Sequence, residues 1–281
     1  MARPLNIACL QTRPLATVEA AIAEATSLAH EACGAGAQVL ALPEYCGGLK
    51  SEGGLFAPPA FAEPSHPFLA EMRAMAAAKS VWVMVGSIAV NDGSGKYINR
   101  GYVVDPDGEI RSRYDKIHLF DVELANGETY KESDAVTPGG RAVLVDMAGA
   151  MTGHTICYDL RFPHLYRDLA QAGAEILAVP AAFTKTTGEA HWHVLNRARA
   201  IENGAFVVAP CAVGDVPGGG AAYGHSLIID PWGRVLADGG TLPGVVQATI
   251  DLDHVAKIRA QIPSLTHDRP YRAAKTSRSV A

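Results

Sequence analysis

The segment GAQVLALP at residues 36–43 is echoed later in the chain by GAEILAVP at residues 173–180. Each copy is a short, continuous apolar run that ends at a proline, a pattern that predicts a strand buried on both faces. Around each copy, an Ala-rich helical pattern precedes the run, and a second helical pattern and a second apolar run follow it. In chain order these flanking segments are 17–33, 67–79 and 81–90 in the first half, and 164–172, 189–203 and 205–213 in the second half. The repeat therefore predicts two α/β halves of the same design.

Each half also ends in a predicted hairpin. The sequences DPDG at 105–108 and DPWG at 230–233 have proline at the second and glycine at the fourth position, as type I turns prefer. Two sheets with helices on one face each would most simply pack sheet against sheet, so we expect a four-layer α-β-β-α sandwich. No linker separates the halves, which predicts a single domain over residues 1–281. From about residue 254 we expect a short helix and an extended tail, which we place at a subunit interface.

Composition excludes several classes of function. The net charge is only −5 and charged residues make up 19% of the 281, so the chain has no electrostatic footprint for nucleic acid or for an anionic membrane surface. We find neither a secretory h-region nor an apolar run of about 18 residues, and therefore expect a soluble, cytoplasmic protein. The five cysteines are odd in number and include no Cys-x-x-Cys pair, which favours a reducing compartment.

Three residues of different chemistry follow predicted strands: Glu44, Lys116 and Cys157. Ligands of α/β sheets bind at the carboxyl ends of strands, which makes these positions candidates for catalysis. Spacing alone does not distinguish Glu44 from an ordinary strand-end carboxylate, or Lys116 from a solvated lysine. Cys157 is the stronger candidate, because the sequence GHTICYDLRFP at 153–163 changes abruptly from strand to helix start, a geometry that exposes a nucleophile.

A thiol, a carboxylate and an ammonium together suffice for acyl transfer. Cysteine attacks as the thiolate, which is scarce at neutral pH unless a neighbouring base takes its proton. In the expected mechanism Glu44 is that base, and Lys116 with a backbone N–H near Tyr158 stabilises the oxyanion formed when Cys157 attacks an amide carbon. A donor of this kind typically contributes about 3 to 4 kcal/mol. The mechanism requires no metal and no organic cofactor.

Three segments resemble the nitrilase superfamily of carbon–nitrogen hydrolases, in particular its amidase-like branch: LPEY at 42–45, YDKIHLFD at 114–121 and ICYDLRFP at 156–163. The sequence is most similar to deaminated glutathione amidases, with omega-amidases next. This resemblance implies the sandwich fold, a homodimer or larger homo-oligomer, and hydrolysis of a non-peptide C–N bond in a small carboxylate-bearing amide. It also implies that Glu132 is a second active-site carboxylate. One departure is His164, where the family usually has a glutamate.

Four further residues are candidates for binding the substrate. Tyr158 follows the nucleophile directly, and Arg161 could bind a substrate carboxylate through two parallel hydrogen bonds, although such an arginine pairs with the chain's own acids about as often. Phe183 and Thr184 follow the second repeated strand and are predicted to form the pocket wall.

Other classes of function receive less support. We expect no zinc site at His191 and His193, because residues two apart on a helix face different ways, and the sequence contains no nucleotide-binding loop pattern. An acyltransferase, in which an amine resolves the thioester, and an inactive interaction partner remain as alternatives. Products formed with and without an amine acceptor would separate transfer from hydrolysis, whereas retention of Glu44, Lys116, Glu132 and Cys157 argues against an inactive protein.

Overall fold

The computed structural model describes residues 2–52, 55–123, 127 and 129–273. Its helices are α1 (Val18–Gly34), α2 (Pro67–Lys79), α3 (Glu132–Ala135), α4 (Pro163–Gln171), α5 (Lys185–Asn203) and α6 (Asp253–Gln261). Its strands are β1 (Pro4–Gln11), β2 (Val39–Ala41), β3 (Ser51–Glu52), β4 (Leu55–Phe56), β5 (Ala60–Phe61), β6 (Trp82–Asn91), β7 (Tyr97–Val104), β8 (Ile110–Asp115), β9 (Asp121–Glu123), β10 (Thr129–Lys131), β11 (Leu144–Met147), β12 (Ala150–His154), β13 (Ile176–Ala178), β14 (Phe206–Ala209), β15 (Val213–Asp215), β16 (Ala221–Tyr223), β17 (Leu227–Ile229), β18 (Val235–Asp238) and β19 (Gly244–Asp251).

Two large sheets carry the repeat. The first has the order β19-β1-β2-β6-β7-β8, with β5 paired to β6, and the second has the order β11-β12-β13-β14-β17-β18. In both sheets three central strands run parallel and the strands outside them pair antiparallel, except that the short strand β5 pairs parallel with β6. The repeated segments occupy equivalent positions, as β2 and β13. The repeat read from the sequence is therefore confirmed strand by strand.

Alternating side chains of the repeated strands build the layers. Val39 and Ala41 of β2 pack in the layer between the sheets, together with Ile176 and Ala178 of β13. Leu40 faces the opposite way, against α1 and α2, and its counterpart Leu177 packs under α4 and α5. Because strand side chains alternate between faces, one apolar run fills two layers. The four-layer α-β-β-α sandwich is confirmed.

The two halves also meet closely at their strand ends. A Cβ atom added at Gly86 in β6 would overlap the carbonyl oxygens of Leu42 and Pro43 and the ring of Pro180. Pro43 and Pro180 end the two repeated segments, so the strand ends of both sheets lie side by side at this point. Only glycine leaves room for that approach.

The predicted hairpins are present. Asp105 and Asp230 each accept a hydrogen bond through the backbone oxygen from the glycine three residues on, at 2.9 Å in both turns. The side chains of the same two aspartates accept further backbone N–H groups of their turns. These bonds satisfy the turn backbone, which explains why Asp-Pro-x-Gly closes both halves.

Two predicted boundaries were wrong. Helix α5 begins at Lys185 and not at residue 189, and the expected strand over 205–213 is β14 alone, followed by a separate short strand, β15. Thr186, Thr187 and Gly188 are poor helix formers, so propensity placed the helix start too late. Gly188 is tolerated because the Tyr223 ring packs where its Cβ would be.

After α6, the segment from Ser264 to Asp268 packs against α4. Arg167 donates to the Asp268 carboxylate and to the Ser264 carbonyl, and Gln171 donates to the Leu265 carbonyl. The short helix expected near residue 254 is confirmed as α6, but residues 274–281 of the predicted tail lie outside the described residues, and its placement at a subunit interface stays a prediction. Within the described ranges no helix combines the length and the apolar character needed to cross a membrane.

Candidate active site

The three chemistry-bearing residues predicted at strand ends converge on one point. Glu44 follows β2 and Lys116 follows β8, both in the first sheet, whereas Cys157 follows β12 in the second sheet. Glu132 opens the short helix α3 next to them. Glu44, Lys116 and Glu132 are all at most 9% exposed. The site therefore lies where the carboxyl ends of the two sheets meet.

Lys116 is held between two carboxylates. Its Nζ atom lies 2.8 Å from Oε1 of Glu44, and 3.0 and 2.9 Å from the two oxygens of Glu132. Burial alone would lower the pKa of Lys116, but the charges of Glu132 and Glu44 outweigh it and raise the pKa well above its usual value. Lys116 is thus a fixed cation, whose charge would stay in place during a reaction.

Glu44 is oriented by groups from both halves of the chain. Its Oε2 atom accepts the backbone N–H of Ala182 at 2.9 Å, and its Oε1 atom accepts Nδ2 of Asn99 at 2.9 Å in addition to Lys116. Glu44 comes from the first half and Ala182 from the second. These bonds hold the carboxylate in one rotamer, as a base that must meet its proton at a fixed geometry requires.

Glu132 has more partners than Lys116 alone. The backbone N–H of Phe120 donates to Oε2 at 2.6 Å, and Tyr45 and Asn99 donate to Oε1 at 3.2 and 3.3 Å. A buried carboxylate is tolerated when its oxygens are filled by donors. This arrangement leaves Glu132 as a rigid counter-charge that fixes the position of the Lys116 ammonium.

Cys157 sits on a sharp turn. Its φ of 49° is in the left-handed region, which is unusual for a residue other than glycine. The turn is held by a hydrogen bond of 2.9 Å from the Cys157 N–H to the carbonyl of Pro180, the residue that ends the second repeated segment. A 3₁₀ turn, Cys157–Arg161, and then α4 follow directly. The strand-to-helix change predicted from the sequence is confirmed, with β12 ending two residues earlier than predicted, at His154.

The buried carboxylate of Asp159 fastens this turn to the lysine segment. It accepts the N–H of Ile156 at 2.8 Å and the hydroxyl of Tyr114 at 2.7 Å, and it bonds both the backbone N–H and the ring Nδ1 of His118, at 3.0 and 2.7 Å. Tyr114 and His118 each lie two residues from Lys116. The turn that carries Cys157 and the segment that carries Lys116 are therefore held together by the side chain of Asp159.

Burial and the neighbouring Glu44 carboxylate both raise the pKa of the Cys157 thiol. Burial raises the pKa of the thiol well above its usual value, and the Glu44 carboxylate raises it further, whereas Lys116 acts in the opposite direction with less effect. The pocket thus places the side chains of Glu44, Glu132 and Lys116 beside a thiol whose raised pKa disfavours the thiolate. If Cys157 is to act as a nucleophile, a neighbouring base must take its proton.

All eight residues predicted for catalysis or binding line one pocket with about 350 Å³ of empty space. They are Glu44, Lys116, Glu132, Cys157, Tyr158, Arg161, Phe183 and Thr184. The guanidinium carbon of Arg161 lies 6.0 Å from the centre of the Tyr158 ring and 5.4 Å from that of Phe183. No salt bridge of Arg161 to a carboxylate is found among the residues that the structure describes. Its Nη2 atom lies 3.3 Å from Nδ1 of His191, so the guanidinium contacts a histidine but no carboxylate among these residues.

Sequence reasoning missed several residues of the site. Asn99 and Tyr45 bond the carboxylates, and Phe56, Phe120 and Thr187 complete the lining. Asn99 carried a readable signal, because a buried polar residue inside the strand β7 is unusual. Tyr45 and the backbone N–H groups of Phe120 and Ala182 carried none, since their roles depend on how the segments meet in space.

Three residues near the pocket have contacts of their own. Arg199 of α5 forms an ion pair with Glu202 at 2.8 Å and also donates to the carbonyl of Leu160, in the 3₁₀ turn that begins at Cys157. Arg197 donates to the carbonyl of Gly233. His164 is exposed on the first turn of α4, edge-on to His118 at 6.0 Å.

Comparison with known proteins agrees with this geometry. The family model described as carbon-nitrogen hydrolase matches residues 6–260. The chain belongs to the carbon–nitrogen hydrolase family, and its fold is that of the nitrilase superfamily.

Two relatives and one solved structure illustrate the similarity. A deaminated glutathione amidase of Synechocystis sp. (strain PCC 6803 / GT-S) is 40% identical over 271 residues, covering 94% of this chain and 98% of the relative. Omega-amidase NIT2 of Bos taurus is 38% identical over 250 residues, 88% of this chain and 89% of the relative. The C. elegans NitFhit protein superposes with a TM-score of 0.86 at 30% identity, covering 96% of this chain and 66% of that one.

Proposed function

We propose that this protein is an amidase that hydrolyses the amide of a small carboxylate-bearing substrate through a Cys157 thioester, with deaminated glutathione as its most suitable substrate. The observation that carries this proposal is the convergence of Glu44, Lys116, Glu132 and Cys157 on one pocket. The likeness to deaminated glutathione amidase, over nearly all of both chains, supports the choice of substrate.

In the first half of the reaction, Glu44 takes the thiol proton while the sulfur of Cys157 bonds to the amide carbon. The carbonyl oxygen becomes an oxyanion, which the Lys116 ammonium and the backbone N–H of Tyr158 stabilise. Glu44 then gives its proton to the amide nitrogen, the C–N bond breaks and ammonia leaves. The enzyme now holds a thioester, and Glu44 is again a carboxylate.

In the second half, water replaces ammonia. Glu44 takes a proton from the water molecule while the water oxygen bonds to the thioester carbon. The Lys116 ammonium and the backbone N–H of Tyr158 stabilise the second oxyanion as they did the first. The C–S bond breaks, the sulfur recovers the proton from Glu44, and the carboxylic acid product leaves. Glu132 takes no proton in this scheme and holds Lys116 in place.

Arg161 is the proposed partner of the substrate carboxylate. It lies on the pocket wall beside the aromatic rings of Tyr158 and Phe183, which restrict its position, while Thr184 lines the same wall. A guanidinium can donate two parallel hydrogen bonds to a carboxylate. This would select acids that carry a remote amide over neutral amides.

Two other activities share this chemistry. The omega-amidase reaction on 2-oxoacid amides is favoured by the likeness to omega-amidase NIT2. An acyltransferase would differ only in the second half, with an amine in place of water. Purified enzyme should release ammonia from deaminated glutathione with a higher kcat/KM than from 2-oxoacid ω-amides, and hydroxylamine should divert only part of the product to hydroxamate.

The outcomes separate the candidates. A higher kcat/KM for the 2-oxoacid amides would favour the omega-amidase, and a hydroxamate product with negligible hydrolysis would favour the transferase. Cys157→Ala should keep the thermal unfolding transition of the parent and lose turnover. Full activity in that variant would show that Cys157 is not the nucleophile.

We further propose that the enzyme works as a homodimer or larger homo-oligomer in the cytoplasm. All five cysteines are free, as suits a reducing compartment. Val194 and Ile201, seven residues apart on α5, are 67% and 52% exposed, and Trp232, whose chain neighbour Gly233 lies against Ile201, is 56% exposed. Large apolar side chains grouped on a surface are typical of a protein interface.

A further inference from the structure

A cluster of two histidines and one aspartate lies outside the residues that line the proposed active site. His193 comes from the middle of α5, His225 from the turn before β17, and Asp238 from the end of β18. One nitrogen of each imidazole and a carboxylate oxygen lie within 4.8 Å of one another. The sequence gives no hint of this group, because 45 residues separate His193 from Asp238.

Both imidazoles point to the same carboxylate. Nε2 of His193 lies 3.0 Å from Oδ2 of Asp238, and Nδ1 of His225 lies 2.8 Å from Oδ1. Ligands around a tetrahedral zinc ion with bonds of about 2.0 to 2.1 Å are separated by about 3.3 Å. The three ligand groups thus need only small side-chain movements to surround one ion.

The scaffold holds these groups before any ion binds. The Gly240 N–H donates to Oδ1 of Asp238 at 2.9 Å, and the His225 ring stacks on Tyr223 with ring centres 4.6 Å apart. Both backbone polar groups of His225 are hydrogen-bonded. Its N–H donates to the carbonyl of Gly240, and its carbonyl accepts the indole N–H of Trp192. Preorganised ligands lower the cost of binding a metal.

The cluster is also open to solvent. The side chains of His193, His225 and Asp238 are 34%, 23% and 35% exposed. An ion can therefore reach the three ligand groups, and water can complete the coordination. Imidazole and carboxylate donors suit zinc and neighbouring divalent transition metals better than magnesium or calcium, which prefer oxygen ligands alone.

We propose that His193, His225 and Asp238 form a binding site for a divalent transition-metal ion of the zinc class, with water as the remaining ligand. The ion would join α5 to the turn before β17 and to β18. In its absence, the same atoms are joined by two histidine–aspartate hydrogen bonds. The site is independent of the proposed amidase chemistry, which uses no residue of this cluster.

Zinc binding to the full chain tests this proposal. Because the thiol of Cys157 could itself bind zinc, the measurements use Cys157→Ala as the parent, after treatment with a chelator. Titration calorimetry with ZnCl₂ should show one site, and His193→Ala and Asp238→Asn should each weaken it at least about tenfold, since even losing a partner of a ligand costs 10- to 100-fold. Zinc should also raise the unfolding temperature of the parent, because it binds the folded state.

His191→Ala is the matched control, since His191 is exposed on the same helix two residues away and has no contact with Asp238 among those described. It should bind zinc as the parent does. Absence of zinc binding to the parent would overturn the proposal. So would a zinc affinity in the His193→Ala and Asp238→Asn variants that equals the affinity of the parent. A loss of affinity in His191→Ala equal to that in His193→Ala would also overturn it, because zinc would then lie elsewhere on α5.

Discussion

Two residues of the proposed active site, Cys157 and Lys116, have raised pKa values for different physical reasons. The Cys157 thiol has a raised pKa because it is buried beside Glu44, whereas the Lys116 ammonium has a raised pKa because two carboxylates flank it. The directions of these two shifts favour a charged Lys116 and a protonated Cys157 thiol. The carboxylate of Glu44 contributes to both shifts.

Replacing Glu44 with Gln tests the base directly. The amide keeps the shape of the side chain but cannot take the thiol proton, and general-base catalysis typically contributes about 10²- to 10⁴-fold. We expect the rate of thioester formation at Cys157 to fall by about that factor, measured by mass spectrometry after rapid mixing with substrate. Glu31→Gln, an exposed carboxylate on α1, is the control and should behave as the parent. A thioester that forms at the normal rate in Glu44→Gln would contradict the assignment.

At the scale of elements, the site is held by connections between segments rather than within them. Asp159 joins the 3₁₀ turn after Cys157 to the segment that carries Lys116. In the first sheet, Glu63 joins the turn before α2 to the hairpin of β7 and β8, because its carboxylate accepts hydrogen bonds from Arg100 of β7 and Arg113 of β8. Each connection predicts a separate effect of substitution.

Asp159→Asn should disturb the nucleophile turn. The new amide N–H₂ would face groups that now donate to the carboxylate, and a buried donor left without a partner costs about 1 to 3 kcal/mol. We expect a lower free energy of unfolding in urea, together with a lower kcat and a raised KM, because Cys157 and the proposed binding residues Tyr158 and Arg161 all lie on this turn. Asp168→Asn, exposed on α4, is the matched control. An unchanged kcat in Asp159→Asn would show that the brace does not position Cys157.

Glu63 predicts a dependence of stability on pH. Burial raises its pKa, but hydrogen bonds from Arg113, Arg100 and Tyr102 outweigh this and lower the pKa from 4.5 to about 2. A carboxylate with a lowered folded-state pKa contributes stability that is present above the unfolded value and lost as pH falls through the folded value. Glu63→Gln should therefore lower the free energy of unfolding at pH 7 by about 1 kcal/mol.

The difference in the free energy of unfolding between the parent and Glu63→Gln should shrink between pH 4.5 and pH 2, where the Glu63 carboxyl of the parent also becomes neutral. Urea unfolding of the two proteins at pH 7, 4 and 2.5 measures it. A difference that is constant over this range would mean that the charge of Glu63 contributes nothing and that only the shape of its side chain matters.

At the scale of the whole molecule, the apolar layer between the two sheets joins the halves into one body. Residues of both sheets share that layer, and the proposed active site uses groups of both halves. This supports the prediction of a single domain over residues 1–281, which stays a prediction. The outer face of α5, in contrast, leaves apolar side chains uncovered.

A second copy of the chain is the proposed cover for that face. Ile201→Asp would place a charge among Val194, Ile201 and Trp232, and burying an unpaired charge is costly. We expect the variant to elute as a monomer, with light scattering giving half the mass of the parent dimer. Leu242→Asp changes an equally apolar residue, 74% exposed and outside this group, and should leave the mass unchanged. A parent that is already monomeric would refute the dimer.

The sequence alone determined the two-half architecture of this protein and placed Glu44, Lys116 and Cys157 after predicted strands. The repeated runs at 36–43 and 173–180 predict buried strands because their apolar pattern is local, whereas the catalytic roles proposed for Glu44 and Lys116 came from the resemblance of their segments to the nitrilase superfamily. The helix start at Lys185 was misread because packing of Tyr223 on Gly188 overrides weak local propensity.

Only the tertiary structure decided which distant groups meet. Ala182 orients Glu44 from the opposite half, Asp159 ties Cys157 to the lysine segment, and His193 meets Asp238 across two elements. No periodicity carries such information, because these distances depend on how two sheets approach one another. The distance and angle between the two sheets are set by the close packing of all the side chains between them, and no single segment of the sequence specifies them.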